Sequence, residues 1–110
     1  MLENSSFESF TLDQLEGLIE FESKRMFGGI ALLYGGSAFA KIKYNKVWLK
    51  VDDSNRKDFI NQGMQQYRYG RDNSRTLNFY EIPAEVLENR DEFVFWVKRS
   101  IEIIKKIHSQ

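Results

Sequence analysis

Two turn-forming pairs, Gly35-Gly36 and Asn45-Lys46, cut the stretch from Ile30 to Val51 into three short segments. No other feature constrains the fold as strongly. Links of two residues leave no room for a crossover, so the segments must pair as antiparallel neighbours. Ile30 to Tyr34 is an apolar run, Ser37 to Tyr44 continues it, and Val47 to Val51 alternates. In the last segment Val47, Leu49 and Val51 share one face, while Lys46, Trp48 and Lys50 share the other. The pattern predicts a three-stranded meander with one core face and one partly wet face.

Helical signals flank this meander. Thr11 as a cap, Gln14 completing a capping box and Phe10 packing on Leu15 predict a first helix from Thr11 to about Glu22, with residues 1–9 flexible. Leu12, Leu15, Leu18 and Ile19 would form its buried face, and Gly17 a tolerated weak point. Asp52-Asp53-Ser54 supplies capping oxygens for a short second helix, Asn55 to Gln62, that stops at Gly63. Gln65 to Tyr69 and Leu77 to Ile82 read as two further strands, and Pro83 opens a short helical turn through Leu87. Asn89 to Glu92 caps the last helix, whose stripe of Phe93, Trp96, Val97, Ile101, Ile104 and Ile107 is broadened by Ile103. The fold class is α+β, a two-layer sandwich in the order α-β-β-β-α-β-β-α. Helices cover a mainly antiparallel five-stranded sheet in one domain over residues 1–110.

Composition narrows the chemistry. No cysteine is present, which removes disulfides, thiol nucleophiles and Cys-ligated metals and fits a reducing cytoplasm. There is no signal-peptide pattern at Met1 to Ser6 and no run of apolar residues long enough to span a membrane. Lys+Arg and Asp+Glu both number 16, so a dedicated nucleic-acid binder is not favoured. The single histidine, His108, reads as a solvated tail residue, and Asp52-Asp53 as a cap rather than a metal site. Gly28-Gly29 lacks the Lys-Ser/Thr of a phosphate loop. Inside a strand the pair marks a bulge or a close backbone approach, expected as tight packing beneath the first helix. No catalytic set assembles, so the chain reads as non-enzymatic, with no cofactor and no metal.

Arg25, Lys50 and Arg56, with Lys41, Lys43 and Lys46, are candidates for a basic surface on which Tyr67, Tyr69 and Tyr80 would interleave as stacking groups. Arg25, Lys50, Asn55, Arg56 and Tyr80 are the candidate binding residues, and a small-ligand pocket would lie near Arg25 and Tyr80.

Arg25-Met26-Phe27-Gly28-Gly29 opens a wider resemblance. It continues through Phe39-Ala40, Leu49-Lys50-Val51-Asp52, Asn55-Arg56, Phe59 and Gly63. Tyr67-Arg68-Tyr69, Phe79-Tyr80-Glu81-Ile82-Pro83, Val86-Leu87 and Trp96 complete it. In this order and spacing, from residue 25 to about 104, the chain resembles the N-terminal domain family of the TfoX/Sxy bacterial competence regulators. Thr76-Leu77-Asn78 stands where that pattern often has a methionine. The resemblance implies a secretion-chaperone-like two-layer fold, a bacterial cytoplasmic setting and no catalytic residues. It implies a stand-alone regulatory or protein-interaction module without the helical C-terminal domain of the full-length regulators. The expected partner is a protein, including a second copy of the chain as a homodimer. Nucleic acid bound on a basic sheet face and a small ligand are the alternatives.

Overall fold

The computed structural model describes residues 2–26 and 28–109. Phe27 of the opening motif lies outside the described residues. Ten elements follow in order: α1 (Leu2–Leu15), β1 (Glu22–Met26), β2 (Gly29–Tyr34), β3 (Ser37–Lys43), β4 (Lys46–Lys50), α2 (Arg56–Asn61), β5 (Gln66–Tyr69), β6 (Arg75–Glu81), α3 (Ala84–Glu88) and α4 (Arg90–His108). The sheet has six strands in the order β1-β2-β3-β4-β6-β5, and every neighbouring pair is antiparallel. The expected meander is therefore present, inside a larger sheet than five strands.

The extra strand is β1, whose backbone pairs with β2 from Glu22↔Leu33 to Met26↔Gly29. It lies at an edge and four of its five residues are exposed, so it has no apolar period to announce it. The first helix is displaced for a related reason. It begins at Leu2, nine residues before the expected cap, and ends at Leu15 rather than near Glu22. Thr11 is buried within the helix and its hydroxyl donates back to the Phe7 carbonyl (3.0 Å), a use that competes with capping. Gln14 likewise turns away from a capping box and donates to the Leu87 carbonyl (2.8 Å). Gly17, at φ +79°, follows the helix end, where Ile19 N–H donates to the Leu15 carbonyl (3.0 Å).

The meander turns divide as expected at Gly35-Gly36, both at positive φ, between Tyr34 and Ser37. The next turn falls one residue earlier than the sequence pattern implies. Tyr44 and Asn45 take φ of 60° and 55°, and Lys43 pairs with Lys46. The two glycines near the start of β2 do different things. Gly28 sits in the β1–β2 turn at φ +77° with open space around it. A Cβ on Gly29 would lie 2.5 Å from the Ile42 carbonyl oxygen, so the close approach is by β3 and not by α1.

All four helices pack on one sheet face. Leu15, Phe59, Val86, Leu87, Phe93, Val97, Ile101 and Ile104 join Ile30, Leu32, Phe39, Ile42, Val47, Leu49, Val51 and Ile82 in one core. A bulge where β2 pairs with β3 lets consecutive Phe39 and Ala40 both be fully buried in it. Asn89 caps α4 as expected, accepting from Glu92 N–H (3.1 Å). Ile103, which broadens the α4 stripe, is itself buried within the chain. Buried Ser100 donates to the Lys50 carbonyl (2.8 Å) and pins α4 to the end of β4. Among the described residues no helix is long and apolar enough to cross a membrane.

Candidate functional site

Among the described residues the opposite sheet face carries no helix, and its register gathers the lysines. Residues directly opposite in antiparallel strands share a face, so Lys24, Ala31, Lys41, Trp48 and Glu81 form one row across β1, β2, β3, β4 and β6. Alternation along the strands adds Lys43, Lys46 and Lys50 to the same side. Beneath them Trp48, Tyr67 and Phe79 form a second, smaller apolar cluster with Ala38 and Leu77 against it. This face is therefore not simply the wet one. Trp48 and Tyr67 meet edge to face at 4.9 Å, and the indole N–H donates to the Lys43 carbonyl (3.2 Å). Lys41 and Lys50 each carry their ammonium over the Phe79 ring at 5.4 Å, covering it with their stems.

A cleft of about 470 Å³ opens on this face. It is lined by Met26 of β1, Ala31 of β2, Lys41 and Lys43 of β3, Tyr67 and Tyr69 of β5, and Leu77 of β6, with Gly29, Ile30 and Ile42 completing its walls. β1 and β5 are the two edges of the sheet, so one cleft touches both only because the sheet coils until this face is concave. The bulges at Leu32/Leu33 and Gln66/Arg68 add to that bend.

The cleft's charge is one-sided. Its described lining contains no Asp or Glu. Among the described residues Lys46 pairs with Glu81 (3.6 Å), while Lys24, Lys41, Lys43 and Lys50 make no ion pair. Partial burial, and then repulsion from Lys43, hold the Lys41 ammonium below the usual lysine pKa.

The five sequence-named candidates do not converge. Lys50 lies on the concave face. Arg25 is drawn to the helix layer by Glu8 (3.0 Å), whose hydrogen bond and charge raise its pKa. Asn55 is buried and structural, accepting from Asp52 N–H (2.9 Å) and donating to the Lys50 carbonyl (3.2 Å). Arg56 pairs with Asp53 beside α2. Tyr80 packs on Phe59 (5.9 Å) on the helix side, away from Tyr67 and Tyr69. Arg25 stands on edge strand β1 and Tyr80 on β6, with β2, β3 and β4 between them in the sheet. Met26, Ala31 and Leu77 were not singled out for this site, because only the coiling of the sheet unites them.

Two other expectations concern polar groups. His108 is exposed, with a ring nitrogen 2.9 Å from Ser37 Oγ at the start of β3. Asp52 accepts from Ser54 N–H (2.8 Å) rather than capping α2, and its carbonyl accepts from Arg56 N–H (3.0 Å). Burial raises the Asp52 pKa, but the Ser54 bonds and Lys106 outweigh it and hold the carboxyl below its ordinary value. Among the described residues no group of His, Asp and Glu is placed to hold a metal ion.

The model of the TfoX N-terminal domain matches residues 13–104, most of this 110-residue chain. The chain belongs to the TfoX N-terminal domain family. Every residue lining the concave cleft falls inside the matched span of this TfoX N-terminal domain. No curated protein matches the chain.

Proposed function

We propose that this TfoX N-terminal domain is a non-enzymatic regulatory module that recognises a protein partner on the concave, helix-free face of its sheet. The carrying observation is the apolar cleft walled by unpaired Lys41 and Lys43 and lined from both sheet edges. Its volume falls within the range of binding clefts, and an apolar interior with a few convergent polar groups is the usual form of a recognition site. A non-enzymatic role accords with its contents. Lys41 has a shifted pKa, but no carboxylate or imidazole lines the cleft to exchange a proton with it. A cytoplasmic setting accords with the absence of cysteine. The homodimer reading rested on the breadth of the last helix, of which Ile103 is buried within one chain while Ile107 and Phe95 are exposed.

Nucleic acid is the second reading, favoured by the row of lysines on one face. Against it, of the three tyrosines expected to stack on bases only Tyr69 is exposed on this face: Tyr67 is 7% exposed and Tyr80 packs on Phe59 on the helix side.

The double variant Lys41→Met, Lys43→Met tests the assignment. Methionine keeps the apolar stems and removes two like charges, one of them partly desolvated. The variant should fold with an unfolding midpoint no lower than the parent's and lose the partner in affinity capture from the native cell. A variant that folds normally and captures the same partner equally well would remove this face as the site.

A further inference from the structure

We propose that the partner offers this cleft an acidic segment carrying one large apolar side chain. The proposal rests on the concave face being the binding surface, and it names the chemistry that surface selects.

The charge is placed, not general. Residues 23–51 hold Lys24, Arg25, Lys41, Lys43, Lys46 and Lys50 and no Asp or Glu, in a chain whose formal net charge is zero. Glu8 draws Arg25 to the other layer and Glu81 occupies Lys46. Lys24, Lys41, Lys43 and Lys50 remain, spread along the cleft and its flanks with no ion pair among the described residues. Lys41 keeps its charge at a cost, half-covered beside Lys43. An incoming carboxylate would relieve that cost, whereas a neutral peptide would deepen it.

The second half of the chemistry comes from the walls. Met26, Ala31 and Leu77 present carbon to the cleft, and Gly29, with no side chain, lies beneath the Lys43 stem. A cavity of about 150 Å³ accepts a benzene-sized ring, so 470 Å³ accommodates an aromatic side chain and the backbone beside it. A uniformly acidic polymer would leave these walls unsatisfied, and a nucleic acid would find the Phe79 ring roofed by Lys41 and Lys50 and only Tyr69 open to stack on. A short acidic segment with one buried anchor satisfies both halves.

The test is fluorescence anisotropy at low ionic strength with the full chain. The probe is a labelled synthetic peptide of sequence Glu-Asp-Glu-Phe-Asp-Glu. Saturable binding is expected, weakened about tenfold or more by Lys41→Met with Lys43→Met, equivalent to about 1.4 kcal/mol. It should weaken comparably when the peptide's Phe becomes Ser, and fall as salt is raised. A single-stranded oligonucleotide of equal charge should bind more weakly. Absence of saturable peptide binding, binding indifferent to the two lysines, or tighter binding of the oligonucleotide would each overturn the proposal. So would sedimentation showing that the chain dimerises through these lysines, which would make a second copy the occupant. If the lysine variant loses its cellular partner while the peptide fails to bind, the face stands and its acidic selectivity falls.

Discussion

Replacing Phe59 with alanine is expected to destabilise the domain by about 3–5 kcal/mol, the range for emptying a fully buried aromatic site. Phe59 is 1% exposed and is the buried residue of α2. Its ring meets Trp96 of α4 edge to face at 4.8 Å and Tyr80 of β6 at 5.9 Å, so it holds a helix of six residues to both layers. Such a short helix has little stability of its own, and the neighbouring Arg99–Asp58 pair is too exposed to hold it alone. A domain of this size is stable by only about 5–15 kcal/mol, so the loss should be plain in urea unfolding followed by tryptophan fluorescence. Phe95→Ala is the matched control: Phe95 is 60% exposed on α4, and its removal should change stability by no more than about 0.5 kcal/mol. Equal effects of the two substitutions would show that the packing of α2 is wrongly described.

Gly29→Ala is expected to cost about 3 kcal/mol, and Gly29→Val to leave little folded protein. Overpacking typically costs about 1–3 kcal/mol, but there the obstacle is a side chain that can turn aside. Here it is the Ile42 carbonyl oxygen, 2.5 Å from the new Cβ, with Lys43 Cβ at 3.2 Å. A backbone group cannot change rotamer, so β2 and β3 must separate where the central meander begins. Gly36→Asn supplies the contrast. Gly36 has positive φ and open space, and Asn tolerates that region, so less than about 1 kcal/mol is expected. Thermal unfolding by circular dichroism separates these outcomes, and a Gly29→Ala midpoint within a degree or so of the parent would contradict the close approach.

What the sequence made legible follows the range over which each element is determined. The meander and the α4 stripe could be read because Gly35-Gly36, the alternation in β4 and the spacing of Phe93, Val97, Ile101 and Ile104 are local signals. Strand β1 could not, because Glu22 to Arg25 bury no face and become a strand only by bonding to β2. The start of α1 was misplaced because Thr11 and Gln14 looked like a capping box. Their true partners are Phe7, one turn back, and Leu87, 73 residues away. The site divides in the same way. Lys41, Lys43 and Lys50 were legible as strand cations opposite an apolar face. That Met26 and Leu77 share a cleft with them depends on the coiling of all six strands. That Tyr80 faces away from Tyr67 depends on how β5 and β6 register across a bulge. Asn55 and Arg56 were conspicuous by pattern, yet their polar atoms are occupied by the turn that precedes α2.

The most direct measurement of which face recognises the partner is site-specific photo-crosslinking in the native cell. A photoreactive side chain is placed at Tyr69, on the rim of the concave cleft, or at Lys98, on the outer side of the helix layer. The expected result is a protein adduct at Tyr69, abolished by Lys41→Met with Lys43→Met, and none at Lys98. An adduct at Lys98 that survives both lysine substitutions, with none at Tyr69, would place recognition on the helices and contradict the assignment.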